Sequence, residues 1–305
     1  MGTLCHITLS GSISKQRLKR LRAEIDARLV EVNNRMSTWK PDSEISTFNA
    51  LQSLEPFPVS LEFADVVQCA LEMAKATRGA FDPTVKPLVD FWGFGSASGG
   101  DGLETILPAV GWNKVRLEEG ALLKNHPSLQ LDLSAIAKGY GVDEVADVIR
   151  AAGWADFLVE IGGEIMASGV NPKGAIWRVG VETPQPGEEF GAQLFSILEL
   201  SGGAMATSGD YRNFRTRADG SRFSHIINPV SGMPAETDVA AVSVLASSCM
   251  NADAAATALF VMGSERSLQW LENHPEFEAL FILHSTNQTF TSCATDGFPA
   301  DPPTQ

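Results

Sequence analysis

Apolar residues recur at two spacings along the chain, and their alternation outlines the fold. Leu18, Leu21, Ile25, Leu29, Val32 and Met36 fall three or four positions apart with charges between them, which predicts an amphipathic helix. Residues 4–9 before it read as a strand. Ser60 is placed to cap a second helix, with Phe63, Val66, Val67, Ala70, Leu71 and Ala74 on one face and Gly79 past its end. Val142, Val145 and Ile149 mark a third helix, ended by Gly153. Asn251 is the expected cap of a fourth, and Ser264 opens a fifth that stops before Pro275. Strands are predicted at 129–133, 157–161, 165–168, 177–181, 194–200, 240–245 and 279–284. Several of these follow one another with no helix between, so the pattern predicts an α+β fold with mixed, largely antiparallel sheet and packed helices. No repeat stands out, and no linker divides the chain. The expected organisation is a single domain over 1–298, surface connections at 95–102 and 184–189, and a disordered tail at 299–305.

Charge and composition narrow the function classes. The 305 residues carry 23 Lys plus Arg against 37 Asp plus Glu, a net charge of −14, and 44% are apolar. That apolar content supports a packed core over most of the length. The acidic balance, with no basic cluster read against it, argues against nucleic acid as a partner. A phosphate-bearing ligand would need a local site, with a metal to offset its charge. Cys5, Cys69, Cys249 and Cys293 are scattered and form no CxxC, so a zinc site or redox dithiol is not expected, and all four read as buried or half-buried thiols. The most apolar stretch, 239–262, is broken by Asn251 and Asp253 and does not read as a membrane span. The start MGTLCH lacks the Ser or Thr of a myristoylation signal and leads straight into a strand, with no signal peptide. The sequon Asn287-Gln288-Thr289 carries no weight by itself.

Six segments hold glycine and polar residues where a core would want apolar ones. Residues 36–49 (MSTWKPDSEISTFN) place Trp39 among hydroxyls; a turn and a short helix capped by Ser43 would account for them equally. Residues 79–95 (GAFDPTVKPLVDFWGFG) turn at Asp82-Pro83. Gly93 and Gly95 lack the flanking strand and helix of a dinucleotide loop. In 131–143 (LDLSAIAKGYGVD) a helix begins at Lys138 and Gly139; a helix N-terminus with a lysine is a reasonable phosphate site, and a solvated lysine is the plainer account. Residues 159–165 (VEIGGEI) read as a hairpin turn. Residues 206–214 (ATSGDYRNF) precede 223–232 (FSHIINPVSG), where His225 is either structural or a base. In 251–263 (NADAAATALFVMG), Asp253 and Thr257 share one helix face, an oxygen pair suited to Mg²⁺ and unsuited to zinc; a helix-dipole aspartate is the alternative.

Together, in this order, the segments resemble the ApbE-type FAD:protein FMN transferases, formerly called thiamine biosynthesis lipoproteins. The resemblance runs from Met1-Gly2-Thr3 to about Gly263. It implies an α+β fold with FAD in a cleft between two lobes. It also implies Mg²⁺-dependent transfer of FMN to a Thr or Ser hydroxyl of an acceptor protein, such as a membrane electron-transfer subunit, with AMP released. By the same resemblance Asp253, Thr257 and a backbone carbonyl near Ala137 hold the metal. Trp39 packs on a ring of FAD, and Met36, Ser37, Asp82, Lys138, Gly163, Thr207, Ser208 and Gly209 line its site. His225 matches the histidine nearest the transferred phosphate, and Lys138 joins it in catalysis. Asn228 departs from the Asp found in many relatives; if that position orients His225, Asn would support an imidazolium less well. The resemblance further implies a lipid-anchored periplasmic protein whose leader is absent from this chain. An FAD pyrophosphatase or a flavin-binding protein are the competing functions, and the joint presence of Asp253, Thr257 and His225 disfavours the latter.

Overall fold

The structure is a computed structural model that describes residues 2–96, 102–185, 191, 193–217, 219–285 and 289–299. Parts of the expected connections (97–101 and 186–190), Asn287 and Gln288 of the sequon, and 300–305 of the expected tail lie outside these residues. The first half holds β1 (Cys5–Leu9), α1 (Lys15–Met36), α2 (Glu44–Ala50), β2 (Phe57–Pro58), α3 (Leu61–Ala76), α4 (Lys86–Phe91), α5 (Leu103–Ile106), β3 (Val115–Glu118), β4 (Ala121–Lys124) and α6 (Ala137–Ala151). Next come β5 (Phe157–Ile161), β6 (Glu164–Ser168), β7 (Trp177–Glu182), β8 (Leu194–Leu200), β9 (Gly202–Gly209), β10 (Phe214–Thr216) and β11 (Arg222–Ser224). The chain closes with β12 (Val239–Ala246), α7 (Cys249–Met262), α8 (Ser264–Leu271), β13 (Glu278–His284) and β14 (Phe290–Ala294). The α+β expectation holds, and every strand pairing described is antiparallel.

One seven-stranded sheet, ordered β1-β5-β6-β9-β12-β13-β14, organises the molecule. Alternation along β13 shows its two faces: Ala279 and Phe281 face a cluster with α3 and α7, while Leu280 and Ile282 face Val179 and Leu198 of the β7–β8 hairpin. A third cluster joins α1 and α6 to β5 through Leu21, Ile25, Val145, Ile149 and Val159. Phe298 packs into the second cluster and is the last buried side chain of the described residues.

Four expectations are corrected. Residues 129–133 are not a strand. Leu129, Leu131 and Leu133 are buried at alternate positions, but the backbone partner of Leu131 is the Asn49 side chain, which accepts from its N–H at 2.7 Å and donates to its carbonyl at 2.8 Å. The cap of α7 is Ser248, not Asn251: the helix starts two residues before Asn251, and the Asn251 amide oxygen faces the Cys69 thiol at 3.1 Å instead. Cys5 is exposed, unlike the other three thiols. A basic cluster does exist: Lys15, Arg17, Lys19, Arg20 and Arg22 crowd the first turns of α1, all exposed. Among the described residues no helix is long and apolar enough to cross a membrane.

Candidate active site

A cavity of about 420 Å³ opens where the ends of β6 and β9, the start of α6, the middle of α7 and the segment leading into α4 converge. Its walls include Trp39, Asp82, Lys138, Thr207, Ser208, Gly209, His225, Asp253 and Thr257. The structure therefore brings nine of the residues singled out in the sequence, distant along the chain, into one site.

Each wall has a local cause. The β5–β6 hairpin turns on Gly162 and Gly163 alone, with φ of +63° and +103°. A two-residue turn of this hand needs positive φ at both positions, which glycine supplies without steric cost. The turn sets Glu164, the first residue of β6, into the cavity wall with its carboxylate buried. On α7, Asp253 and Thr257 are one turn apart and line the same cavity. The Thr257 hydroxyl lies 3.1 Å from the Ser208 hydroxyl on β9. Gly139 lets α6 approach α7 closely: a Cβ there would collide with the Cys249 carbonyl oxygen and meet Asp253 Cβ at 2.8 Å. Its N–H donates to Asp253 Oδ2 at 2.9 Å.

Lys138 stands between two carboxylates. Its Nζ donates to Glu164 Oε1 at 2.5 Å and lies 3.5 Å from Asp253 Oδ1. Burial alone would lower the Lys138 ammonium, but Asp253 and Glu164 outweigh it and hold the group protonated well above the ordinary lysine range. Burial raises the Glu164 carboxyl, and the Asp253 charge raises it further, against the opposing pull of Lys138. Glu164 Oε2 is the one buried side-chain oxygen among the described residues with no hydrogen-bond partner. Buried polar atoms are rarely left so, because an unmade bond costs about 1–3 kcal/mol.

Across the cavity, His225 Nδ1 is 3.1 Å from the carbonyl of Asn213. A carbonyl only accepts, so Nδ1 carries the proton and Nε2 keeps its lone pair. Burial lowers the His225 imidazole below its ordinary value, aided by the nearby Lys138 charge, while Asn213 and Asp132 pull the other way. Asn228 does not orient this ring. Its side-chain oxygen accepts from the N–H groups of Val230 and Ser231 and closes a turn.

Other expected site residues lie elsewhere. Met36 is buried in the core beside Ile45 and Phe48 and does not line the cavity. Ser37 folds the loop that presents Trp39: its hydroxyl accepts from the Trp39 N–H, and its carbonyl accepts from Ser43 Oγ at 2.7 Å. Gly163 and Ala137 are not on the wall, where Gly162 and Ala135 stand instead. Asp82 is on the wall, but its carboxylate accepts from Thr84 N–H, Thr84 Oγ1 and Trp112 N–H, holding the turn closed. Trp39 is 69% exposed, an aromatic face left at the rim. Sequence reasoning passed over Glu164, whose signal was the acid directly after the paired glycines. It also passed over Asn213, Phe94 and Arg212, which carried no sequence signal beyond their nearness to named motifs.

The ApbE family model matches residues 1–281. A protein of Vibrio cholerae named FAD:protein FMN transferase is 42% identical over 286 residues, 92% of this chain and 84% of that protein. One of Haemophilus influenzae with the same name is 37% identical over 311 residues, 98% of this chain and 88% of that one. The solved flavin transferase ApbE from Vibrio cholerae superimposes with a TM-score of 0.86 at 40% identity, covering 98% of this chain and 95% of that one. The apo flavinyl transferase ApbE of Pseudomonas stutzeri superimposes at 0.84, with 34% identity over 97% and 92% of the two chains. With matches of this length and identity, the chain belongs to the ApbE family.

Proposed function

We propose that this chain transfers the FMN moiety of FAD to a Thr or Ser hydroxyl of an acceptor protein, with Mg²⁺ required and AMP released. The names of its relatives support flavin transfer to protein. The observation that carries the finer reading is one cavity with hard oxygen donors and a lysine on one wall and a neutral histidine on another.

The donor set fits Mg²⁺. Asp253 offers a carboxylate, Thr257 a hydroxyl and Glu164 an unpartnered buried oxygen. Among the described residues no cluster of three or more His, Cys, Asp or Glu could form an all-protein metal cage, and Mg²⁺ favours few protein ligands beside substrate phosphates. Bound by Asp253 and Thr257, Mg²⁺ would offset charge on the pyrophosphate oxygens. Lys138, kept charged by its two carboxylates, adds a second positive group on the same wall. The Nε2 of His225 takes the proton of the acceptor hydroxyl as its oxygen bonds to the FMN phosphorus. The bond from that phosphorus to the bridging oxygen breaks, and AMP leaves with the bridging oxygen. Trp39 at the rim offers a face for the flavin or adenine ring.

The test incubates the protein with FAD, Mg²⁺ and a Thr-containing acceptor, then weighs the products. Acceptor carrying an FMN mass together with AMP supports transfer. Free FMN plus AMP means hydrolysis, and intact FAD means binding alone.

A further inference from the structure

Beside the cavity, the β10–β11 hairpin concentrates positive charge against the balance of the chain. Arg212, Arg215, Arg217 and Arg222 fall within eleven residues, with Asp219 the one acid among them, in a chain of net charge −14. All four guanidiniums lie over rings: Arg212 over Tyr211 at 5.4 Å, Arg215 over Phe94 at 5.5 Å, Arg217 over Phe223 at 4.9 Å and Arg222 over Phe214 at 5.1 Å. Stacking uses the flat face of the group and leaves its N–H edge for polar partners. Arg215 spends one N–H on the Gly93 carbonyl and Arg217 one on Ser221 Oγ, and the remaining N–H groups, with those of Arg222, can meet a carboxylate. Arg212 is engaged with Glu182, and Arg217 reaches Glu236 at 3.6 Å. Arg215 and Arg222 have no carboxylate partner among the described residues.

The hairpin also carries an open ladder edge. Among the described residues, strands β10 and β11 pair only with each other. The His225 N–H donates to the Asn213 carbonyl and the Arg217 N–H to the Ser221 carbonyl, so 213, 215 and 217 turn inward. Phe214 and Thr216 therefore turn their N–H and C=O outward, and Thr216 is exposed. The base of the hairpin is part of the active site, since Asn213 and His225 both line the cavity. A strand advances about 3.4 Å per residue, so three residues along this edge lead from Thr216 to the cavity.

We propose that the β10–β11 hairpin is the docking arm for the acceptor. An extended acceptor segment adds as a strand along the β10 edge. Its acidic side chains meet Arg215, Arg217 and Arg222, and its hydroxyl arrives at His225. This rests on the transfer reading above. The other anion within reach is FAD itself, and the experiment separates the two.

The probe is a set of synthetic peptides with one central Thr and acidic, neutral or basic flanks, weighed for FMN gain. The variants are Arg217→Glu with Arg222→Glu, and separately Thr216→Pro, which removes an outward N–H without changing charge. None of these residues lines the cavity, and FAD binding reports whether each variant folds. The parent is expected to favour acidic flanks. The paired charge reversal should raise the acidic-peptide KM at least tenfold, leave the FAD Kd within twofold and shift preference toward basic flanks. Thr216→Pro should raise KM for every peptide. Unchanged KM values, or a rise in FAD Kd in their place, would overturn the docking arm while transfer stands. A parent that consumes FAD and labels no peptide overturns the transfer reading itself, and the docking arm with it.

Discussion

Gly139→Ala tests whether the approach of α6 to α7 sets the active site. Propensity alone predicts a gain, since Ala is favoured over Gly in a helix interior by about 0.8–1.0 kcal/mol. The structure predicts the opposite sign. The new Cβ collides with the Cys249 carbonyl oxygen and lies 2.6 Å from the carbonyl carbon, which must recede by about 0.8 Å to reach ordinary contact at 3.4 Å. That backbone cannot drift freely, because the N–H groups of Cys249 and Met250 are both tied to the Asp143 carboxylate at 2.8 and 2.9 Å. Overpacking of this kind costs about 1–3 kcal/mol. After the propensity gain, the net loss is up to about 2 kcal/mol, a fall in Tm of up to roughly 3 °C for a chain of this size.

The same movement reaches the chemistry. Asp253 Cβ, 2.8 Å from the added methyl, must shift too, and the Gly139 N–H bond to Asp253 must lengthen. A displacement near 1 Å in a reacting site costs up to about 10²-fold in rate. Thermal unfolding and single-turnover transfer with saturating FAD and Mg²⁺ check both effects. A variant with equal or higher Tm and the parental rate would refute the steric argument. A lower Tm with the parental rate would refute only the coupling to Asp253.

Three more predictions follow from single contacts. Asn49→Leu strips both backbone partners from buried Leu131 and should cost about 2–6 kcal/mol at 1–3 per unmade bond, read as a lowered urea midpoint. Trp39→Ala removes an exposed aromatic face worth about 0.5–1.5 kcal/mol in stacking and should weaken FAD binding about threefold to tenfold by titration; an unchanged Kd removes the contact. His225, its imidazole lowered by burial, is neutral above its pKa, so the transfer rate should rise with pH through a limb lying below about 6.5 and stay flat to pH 9. His225→Ala should lose that limb and about 10²–10⁴ in rate, and a variant with the parental profile leaves His225 a structural role only.

The sequence revealed an element wherever one physical signal set both its burial and its pairing. The 3.6-residue period of α1, α3 and α6 comes from packing one face on a core, and those helices stand where expected. Alternation over 129–133 came from the same burial, but no strand among the described residues pairs with it, and the Asn49 side chain bonds the Leu131 backbone instead. Period two thus reports a half-buried extended chain, with or without a ladder. Strand β9 shows the reverse. Its sequence GGAMATSG has little strand propensity, yet it lies at the middle of the sheet, where Ala204 and Ala206 are fully buried and small enough for α7 to cross over them. At the site, Asp253, Thr257 and Lys138 were visible because each sits in a glycine- or alanine-rich segment, and His225 because it sits in a polar turn segment, that a core alone would not choose. Met36 opens a hydroxyl-rich segment, and its role there is packing.

The sequence places Glu164 after paired glycines but does not show its burial beside Lys138 and Asp253. A buried acid is expensive unless paired, and Lys138 pairs with only one of its oxygens while also facing Asp253. One ammonium faces two carboxyl groups, and burial raises the Glu164 carboxyl to about 7, so this second acid is held only partly ionised near neutral pH. Core packing would remove such a costly acid by replacing Glu164 with an apolar residue, as β6 does at Ile165 and Met166. The fold instead spends two consecutive glycines in positive φ to place Glu164 at the wall. It also places a third glycine, Gly139, where its N–H holds one oxygen of Asp253 and leaves the other toward Lys138. Local cost concentrated at one point is the mark of a functional site rather than a structural one. A buried acid held above its ordinary range, with a free oxygen, is the arrangement that a divalent cation on a pyrophosphate would complete, which ties the cluster to the metal-assisted transfer proposed above.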